Sequence, residues 1–409
     1  MDVKEKGECR DSRFLTRSGT EAIHFGEIPS IGTQEAINGI RFDFCDGLRV
    51  FIPEGEISYR LRFNDLDTSS LVYDVVAPPG STVVSLKKYF IRFRLVISDP
   101  ASDRLLFMHD YDARDREVMV RFPVHTLGDS IGWFSYVERF QQKHGCKLIC
   151  VVSDWFAAIV NKQYPTIRFV SREEAKDFQP YANYNIGLFE VGNVTNQPVD
   201  HRYVGLHRLA AHILGVDSAD EPPRFDLSAP RRIKEKYVCI GVQSTSLAKH
   251  WNHPTGWDET VAYLKQQGFR VLCIDKEAVT GRAGSFQRIP REAEDFTGDK
   301  PLQERIDLLK DAEFFIGLSS GLSWLAWGCR IPVVMISGFS APWNEFATPY
   351  RVINYNACNS CWQDCKEFDL ADYWCCPRLK DTGRRFECTA MISPRQVIDM
   401  IQSMETSQR

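Results

Sequence analysis

Short runs of alternating apolar and polar residues dominate the chain between residues 39 and 122. Examples are GLRVFIP, ISYRLRF and KKYFIRFRLVI, and turn-forming clusters such as Pro78, Pro79 and Gly80 separate them. An alternation with a period of two residues is typical of half-buried antiparallel strands. The pattern predicts a β-rich domain over residues 39–122, preceded by a loosely ordered lead-in over residues 1–38.

The pattern changes after Phe122, where apolar runs of strand length alternate with helical segments. KLICVV and TIRFVS are the first such strands, and KYVCIGV, RVLCIDK, FFIGL and IPVVMIS follow later in the chain. Strands that alternate with helices indicate βαβ units and a parallel sheet. A polar, proline-rich stretch at residues 218–232 predicts a connection between two sets of these units.

We therefore expect an α/β protein with two Rossmann-like halves that face a cleft. The N-terminal half should span residues 123–232 and the C-terminal half residues 233–350. A cysteine-rich insertion is expected at residues 351–390. A terminal helix is expected at residues 391–409, because Ser393 can cap it and Pro394 suits its first turn.

Charge and hydropathy limit the classes of partner. The 409-residue chain has 50 Lys and Arg residues against 54 Asp and Glu residues, for a net charge of −4. This balance argues against a protein that binds duplex DNA. No apolar run reaches the roughly 18 residues of a membrane span, and the N-terminus lacks the apolar stretch of a signal peptide. The sequence thus predicts a soluble, cytoplasmic protein with no nucleic-acid partner and no membrane span.

Three polar loops follow predicted strands, which is where open α/β sheets bind ligands. The first loop runs from Thr126 through Leu127 and Gly128 to Asp129. Gly128 allows a tight turn, and Asp129 either caps the following helix or faces the cleft. This loop belongs to the N-terminal half and contributes a carboxylate.

The second loop follows the strand VCIGV and contains Thr245, Ser246 and Lys249. Hydroxyls and a lysine at a strand-to-helix turn can bind an anion, because helix amides point at the anion and the lysine supplies a charge. A helix cap with a solvated lysine is the alternative.

The third loop also connects a predicted strand to a helix and contains Ser319, Ser320 and Gly321. Its hydroxyls and glycine permit the close approach of a phosphate, although a serine-capped buried helix would have the same pattern. The second and third loops belong to the C-terminal half, so they are predicted to lie across the cleft from Asp129.

The cysteines are concentrated near the C-terminus, since six of thirteen fall between Cys358 and Cys388. In a chain without a secretion signal, a dense local cluster suggests a metal site rather than disulfides. Cys358 and Cys361 form a C-x-x-C pair, and Cys375, Cys376 and Cys388 follow. Four thiolates in a tetrahedron suit zinc or iron, and the spacing does not separate the two metals.

Taken together, these motifs resemble those of the GT-B heptosyltransferases, and specifically the bacterial autotransporter heptosyltransferase family, over roughly residues 122–390. In that family a loop ending in Gly-Asp carries the base, which matches Gly128 and Asp129. A hydroxyl-rich turn followed by Ala-Lys-x-Trp contacts the diphosphate, which matches residues 245–251. A loop written Asp-Thr-Gly-Leu closes over the nucleotide, but here Ser319 replaces its Asp and Trp324 replaces a common His.

The resemblance implies an inverting transferase that moves heptose from ADP-heptose to Ser or Thr hydroxyls of an autotransporter adhesin. Asp129 would be the general base. The substrate-binding groups would be Thr126, Leu127, Gly128, Thr245, Ser246, Lys249, Ser319, Ser320, Gly321 and Trp324. Glu277 and Thr297, on loops after later strands, are further candidates for contacts with the ribose and adenine.

The resemblance also implies a cysteine-bound iron insertion and a large ring-like homo-oligomer, such as a dodecamer. Cys376 precedes Pro377 and so matches a Trp-Cys-Pro pattern of the family, although the adjacent Cys375 competes for this role. Cys365 is expected to be a bystander. One structural Fe³⁺ ion per chain, with zinc as the alternative, would be held by Cys358, Cys361, Cys376 and Cys388.

Two other functions are compatible with the sequence. A lipopolysaccharide-core heptosyltransferase would use a lipid-linked sugar as acceptor, but the β-rich domain and the cysteine insertion argue against it. A noncatalytic scaffold that keeps the nucleotide fold is favoured only by the serine at position 319.

Overall fold

A computed structural model of the chain describes residues 26–123, 126–189, 192–282, 285–364 and 376–407. Most of the predicted N-terminal lead-in lies outside these residues, as do Cys365 and Cys375. Within the described ranges, no helix is both long enough and apolar enough to cross a membrane.

The N-terminal region consists of two antiparallel four-stranded sheets, as the alternating pattern predicts. Its strands are β1 (Gln34–Glu35), β2 (Arg41–Asp43), β3 (Arg49–Phe51), β4 (Tyr59–Asp65), β5 (Ser70–Ala77), β6 (Thr82–Val84), β7 (Phe93–Ser98) and β8 (Leu105–Asp110). The sheet orders are β1-β2-β3-β6 and β5-β4-β7-β8. In β4, Tyr59, Leu61 and Phe63 are buried while Arg60 and Arg62 lie on the other face, because successive side chains of a strand point to opposite sides.

The N-terminal half is a parallel sheet with helices, in the order β11-β10-β9-β12. Its elements are β9 (Glu117–Arg121), α1 (Leu127–His144), β10 (Lys147–Val151), α2 (Asp154–Val160), β11 (Arg168–Val170), β12 (Ala182–Asn185), α3 (His201–Val204) and α4 (Arg208–Leu214). Short 3₁₀ turns lie at Asn161–Gln163 and Glu174–Asp177.

Strand β9 falls inside the range predicted for the β-rich domain, but it pairs in parallel with β10 and β12. Four of its five residues are buried, because the strand is covered on both faces. This burial is typical of parallel sheets. The antiparallel region therefore ends at β8, ahead of the expected limit at residue 122.

The C-terminal half is a six-stranded parallel sheet in the order β17-β14-β13-β18-β19-β20. Its elements are β13 (Tyr237–Ile240), α5 (Gly256–Gln266), β14 (Arg270–Cys273), β15 (Val279–Arg282), β16 (Ser285–Arg288), β17 (Glu294–Asp295), α6 (Leu302–Leu309), β18 (Phe315–Leu318), α7 (Gly321–Gly328), β19 (Val333–Ile336) and β20 (Arg351–Val352). The hairpin formed by β15 and β16 was not expected.

The C-terminal segment begins with a 3₁₀ turn at Cys361–Gln363 and continues through α8 (Glu387–Ala390) to α9 (Pro394–Ser407). Helix α9 packs its Val397, Ile401 and Met404 side chains into the apolar core of the C-terminal half. The α/β architecture with two parallel sheets and an N-terminal β-rich region is confirmed.

Candidate active site

The three predicted loops follow the carboxyl ends of parallel strands. The first lies between β9 and α1, the second follows β13 and contains a 3₁₀ turn at Leu247–Lys249, and the third connects β18 to α7. The carboxyl edge of an open parallel sheet is the usual location of a ligand site. The first loop comes from one half and the other two come from the opposite half.

The first and third loops contact each other across the cleft. A Cβ atom at Gly321 would lie 2.9 Å from the Leu127 Cβ, and a Cβ at Gly128 would lie 2.9 Å from Trp324 Cδ1. Real Cβ atoms do not approach other atoms this closely, so glycine at these two positions is what permits the contact. The contact brings the N-terminus of α1 against the N-terminus of α7.

Trp324 was expected to contact substrate, but the structure buries it behind the first loop. Its side chain is only 4% exposed, and its ring packs against Gly128, His207 and Phe346. A large apolar ring gains more from this packing than from contact with a polar nucleotide. Trp324 therefore supports the loop that carries Asp129.

Asp129 lies in the first turn of α1 and is not its N-cap, because Thr126 holds that position. The Thr126 hydroxyl donates a hydrogen bond of 2.5 Å to Asp129 Oδ2. Burial raises the pKa of Asp129, while Thr126 and the positive charge of Lys249 oppose the rise. The carboxylate is thus a stronger base than a solvated one and remains within electrostatic reach of Lys249.

Lys249 ends the 3₁₀ turn of the second loop and is half-buried. Its Nζ lies 5.8 Å from the centre of the Trp362 ring, a cation–π distance. Burial lowers the pKa of Lys249, while Glu345 and Asp129 oppose this by favouring the ammonium form. The lysine is therefore within electrostatic reach of one carboxylate from each half of the protein.

The two hydroxyl residues of the second loop, Thr245 and Ser246, differ in their exposure to solvent. Thr245 is exposed, whereas Ser246 is fully buried and its side chain accepts a 3.3 Å hydrogen bond from the Ala248 amide. Ser246 thus caps the turn that positions Lys249. Only Thr245 presents its side chain to solvent.

The polar groups of Ser319 and Ser320 in the third loop also differ in their hydrogen-bond partners. Ser319 is 4% exposed and its hydroxyl donates to Glu345 Oε1. The Ser320 amide donates to Leu318 O at 2.7 Å, so this amide is already used. The Ser320 hydroxyl is buried and has no hydrogen-bond partner among the described residues. It lies at the N-cap of α7, next to helix amides that lack partners within the helix.

Glu345 is a buried carboxylate beside the third loop that the sequence did not single out. Its carboxylate is 2% exposed, and Oε1 accepts hydrogen bonds from Ser340 at 2.7 Å and Asn344 at 2.9 Å, as well as from Ser319. Arg351 Nη1 donates to Oε2 at 3.0 Å. Burial acts to raise the pKa of Glu345, but Arg351 and the three side-chain donors outweigh burial and hold it below the usual range.

Glu277 and Thr297 lie on the loops that follow β14 and β17 of the C-terminal sheet. Glu277 is exposed, and its carbonyl oxygen accepts a 2.5 Å hydrogen bond from Gln243 Nε2. The hydroxyl of Thr297 donates to Asp295 Oδ1 at 2.7 Å. Buried Asp275, which the sequence analysis missed, accepts from the amide of Val242 at 2.7 Å, and burial raises its pKa to about 6. The Gln243 and Val242 contacts connect the loops after β13 and β14, whereas the Thr297 hydrogen bond stays at the end of β17.

Four cysteines of the C-terminal segment line one small cavity beside the second loop. Cys358, Cys361, Cys376 and Cys388 surround it together with Ala248, the neighbour of Lys249. Burial, with the nearby Cys358 and Cys376 sulfurs, raises the pKa of Cys361 to about 12. Among the described residues, no group of three or more His, Cys, Asp or Glu side chains is arranged so that it could hold a metal ion. The metal site therefore stays a prediction.

The sequence contains only weak signals for the missed residues. Glu345 lies in the polar loop after β19, a position shared by many residues that face solvent. Trp362 lies between two cysteines and has no regular spacing that would connect it to Lys249. Both are recognisable only from the contacts that they make in the folded chain.

Comparison with known proteins shows similarity along most of the chain. Residues 37–113 match the model "Glycosyltransferase TibC, N-terminal domain", and residues 188–371 match "Glycosyltransferase family 9 (heptosyltransferase)". The autotransporter heptosyltransferase Aah of Escherichia coli is 48% identical over 92% of this chain and 96% of its own length.

Solved structures of TibC from enterotoxigenic E. coli H10407 are similar in three dimensions. One is described as an iron-containing dodecameric glycosyltransferase, and it is 47% identical with a TM-score of 0.89 over 94% of this chain and all of its own. The other is a complex of the dodecameric iron-containing heptosyltransferase with ADP-D-β-D-heptose, with 47% identity and a TM-score of 0.90 over the same shares.

One relative differs in its described activity. The inactive autotransporter heptosyltransferase BimC of Burkholderia thailandensis is 39% identical over 95% of this chain and 91% of its own length. Similarity along most of the chain therefore extends to a relative described as inactive.

Proposed function

The chain belongs to the autotransporter heptosyltransferase family, and we propose that it transfers heptose from ADP-heptose to Ser or Thr hydroxyls of an autotransporter adhesin. The observation that carries the proposal is the position of Lys249, which is coupled electrostatically to Asp129 of the opposite half. The first and third loops, one from each half, are also in contact. In this arrangement Asp129 would serve as a base within electrostatic reach of a cation that could bind a diphosphate. The described complex of TibC with ADP-D-β-D-heptose supports this donor.

Asp129 would act as the general base. It would accept the proton of the acceptor hydroxyl while the hydroxyl oxygen forms a bond to the anomeric carbon. The bond from that carbon to the diphosphate breaks in the same step, ADP leaves, and the configuration at carbon inverts. Its raised pKa favours proton uptake, and Lys249 keeps the carboxylate charged before the reaction.

Lys249 and the N-terminus of α7 would stabilise the leaving diphosphate. The ammonium supplies a charge, the helix terminus supplies partly positive amides, and the Ser320 hydroxyl supplies a donor without another described partner. Thr245 can add a hydroxyl from the second loop, whereas buried Ser246 and Ser319 act by fixing their loops. Gly321 would admit the phosphate close to the backbone.

Glu277 and Thr297 would contact the nucleoside. Both lie on loops that follow strands of the C-terminal sheet, and Gln243 connects the Glu277 loop to the second loop. A carboxylate can accept hydrogen bonds from ribose hydroxyls, and a threonine can bond to a base.

A structural iron ion would be held by Cys358, Cys361, Cys376 and Cys388. The donor chemistry fits, because four thiols from three separate parts of the segment line one cavity, and crowded thiolates need a cation to offset their charge. The ion would supply folding free energy to a segment with little core of its own. TibC is described as containing iron, and zinc remains the alternative with the same ligand set.

The native protein is proposed to be a large homo-oligomer in the bacterial cytoplasm. The described TibC structures are dodecameric, which supports a similar assembly. All ten described cysteines are free thiols, as is usual in a reducing compartment.

The deciding experiment is a transfer assay with purified protein, ADP-heptose and a purified adhesin passenger. Mass spectrometry of the passenger should find heptose on Ser or Thr, and ADP should appear in equal amount. Transfer to a lipopolysaccharide acceptor instead would overturn the acceptor class. Donor binding without any transfer would place the chain with its inactive relative.

A further inference from the structure

The buried carboxylate of Glu345 is not explained by packing alone. An isolated charge removed from water costs several kcal/mol unless it is paired and fully hydrogen-bonded. Glu345 meets this condition with four donors, three of which lie on the loops after β18 and β19. A replacement by apolar residues would avoid the cost altogether, so a charge at this position calls for a functional reason.

We propose that Glu345 is the positioning residue of the donor diphosphate site, where it supplies the carboxylate that position 319 lacks. Its Oε1 atom is in hydrogen-bond contact with the hydroxyl of Ser319, directly before the Ser320 and Gly321 pair. This inference rests on the proposed function of that loop. Glu345 acts through its neighbours and touches no substrate in this assignment.

The first route of action is through the third loop. Ser319 donates to Glu345, and the single hydroxyl hydrogen of Ser340 points to Glu345 Oε1 at 2.7 Å while the Ser340 oxygen lies 3.0 Å from Ser319 Oγ. The backbone between β18 and α7 is therefore fastened at its first residue. This fixes the direction of the α7 N-terminus toward the cleft.

The second route is through Lys249. Among the described residues, Glu345 and Asp129 are the anionic groups that favour the ammonium form of this lysine, and the Trp362 ring lies 5.8 Å from its Nζ as a cation–π partner. Arg351 neutralises part of the Glu345 charge from the far side. A fixed negative charge within reach of the ammonium favours its charged form before the diphosphate arrives.

The same network reaches the cysteine segment. Asn344, which donates to Glu345, accepts a 2.8 Å hydrogen bond from Gln363 Nε2, and Gln363 Oε1 accepts from the Ala341 amide at 2.6 Å. Gln363 follows Trp362 in the 3₁₀ turn that starts at Cys361. The segment thus fixes both the ring beside Lys249 and the amide beside Glu345.

The test changes positions 319 and 345, singly and together, in the full-length protein and measures ADP binding by calorimetry. Glu345→Gln keeps the size and one acceptor oxygen but removes the charge and one acceptor, and it should weaken ADP binding roughly ten- to a hundredfold. Ser319→Asp alone should also weaken binding, because two carboxylates would then be in contact. The double variant Ser319→Asp with Glu345→Gln should recover most of the affinity, since one carboxylate and one polar partner are restored.

Kinetics separate positioning from a general loss of structure. Glu345→Gln should raise KM for ADP-heptose more than it lowers kcat, with KM for the acceptor unchanged, and Glu345→Asp should recover part of the difference. Asp307→Asn is the matched control, because Asp307 is a buried carboxylate whose hydrogen bonds go to Arg232 and Gln303. Melting curves of all variants show whether each one folds.

The outcomes distinguish this inference from the proposed function. If the wild-type protein does not bind ADP, the proposed function fails. If wild type binds ADP and Glu345→Gln binds equally well, or if the folded double variant recovers nothing, only the role of Glu345 is overturned.

Discussion

Two carboxylates act on Lys249 from opposite halves of the molecule, and their surroundings differ. Asp129 accepts one hydrogen bond among the described residues, from Thr126, and burial raises its pKa. Glu345 accepts four hydrogen bonds, one of them from Arg351, and its pKa is held below the usual range. A buried carboxylate with few donors takes up a proton readily, whereas one saturated with donors keeps a fixed charge.

The difference suggests a division of work across the cleft. The N-terminal half presents the group that must change its protonation state, and the C-terminal half presents groups that must not. Asp129 and Glu345 both act on Lys249. A change at Asp129 should therefore be recognisable by its effect on the transfer rate, and a change at Glu345 by its effect on donor binding.

The substitution Asp129→Asn tests the role of the Asp129 carboxylate most directly. Transfer should fall by roughly 10²–10⁴-fold because the general base is lost, while calorimetric ADP affinity stays nearly unchanged. Asp154→Asn is the matched control, because Asp154 occupies the first turn of α2 and is exposed. Turnover at the wild-type rate by Asp129→Asn would remove this carboxylate from the chemistry.

Cysteine substitutions should affect the surroundings of Glu345 in the C-terminal half and leave those of Asp129 unchanged. The purified protein should contain about one metal ion per chain, and changing Cys358, Cys361, Cys376 or Cys388 to Ser should remove it and reduce solubility. ADP affinity should fall with the metal, because the segment carries Trp362 and Gln363. Elemental analysis identifies the metal, and visible thiolate-to-iron absorption would favour iron.

Two other cysteines test how specific that effect is. Cys365→Ser and Cys150→Ser should retain the metal. Loss of metal from Cys375→Ser but not from Cys376→Ser would exchange these two residues in the ligand set. Retention of metal by every single variant would mean that the cluster is not a metal site.

Removing the shared cation tests both sides at once. Lys249→Ala should weaken ADP binding by about 1.5–3 kcal/mol, the contribution of a hydrogen bond to a charged group, and should slow transfer as well. Exposed Lys276, on the neighbouring loop, provides the control variant Lys276→Ala. Unchanged ADP affinity in Lys249→Ala would place the diphosphate elsewhere.

The smallest expected effect is a shift in pH dependence. As the proposed general base, Asp129 must be unprotonated, so the rate is expected to fall as the pH drops through its raised pKa. Thr126→Val removes a hydrogen bond that lowers this pKa, so the acid limb should move to higher pH by less than about one unit. Thr166→Val, which removes a hydroxyl bonded to Gln141 elsewhere in this half, should leave the limb in place. A shift to lower pH would contradict the assigned role of Thr126.

Much of the fold was predictable because its signals are local. The β-rich region and the α/β halves follow from changes in hydrophobic period, which each segment carries in its own residues. Strand β9 was assigned to the wrong sheet because a short apolar run does not specify its neighbours. The hairpin β15–β16 was missed because its strands are only four residues each.

The candidate site was predictable in part for the same reason. Asp129 and Lys249 could be proposed as site residues because strand-to-helix loops that carry a charge can be recognised along the chain. Trp324 was misplaced because a motif position does not tell whether a ring faces the cleft or the packing behind it. Ser246 and Ser319 were counted as ligand groups, but the fold uses their hydroxyls internally.

The sequence by itself determined the architecture, the three loops and the chemical groups at the cleft, because periodicity and loop position are properties of neighbouring residues. Only the tertiary structure decided that Glu345 bonds to Ser319, 26 positions away in the chain. It also decided that Trp362 lies beside Lys249. These contacts depend on how the loop after β19 and the cysteine segment fold back over the sheet, and burial of a charge becomes visible only when all its donors are in place.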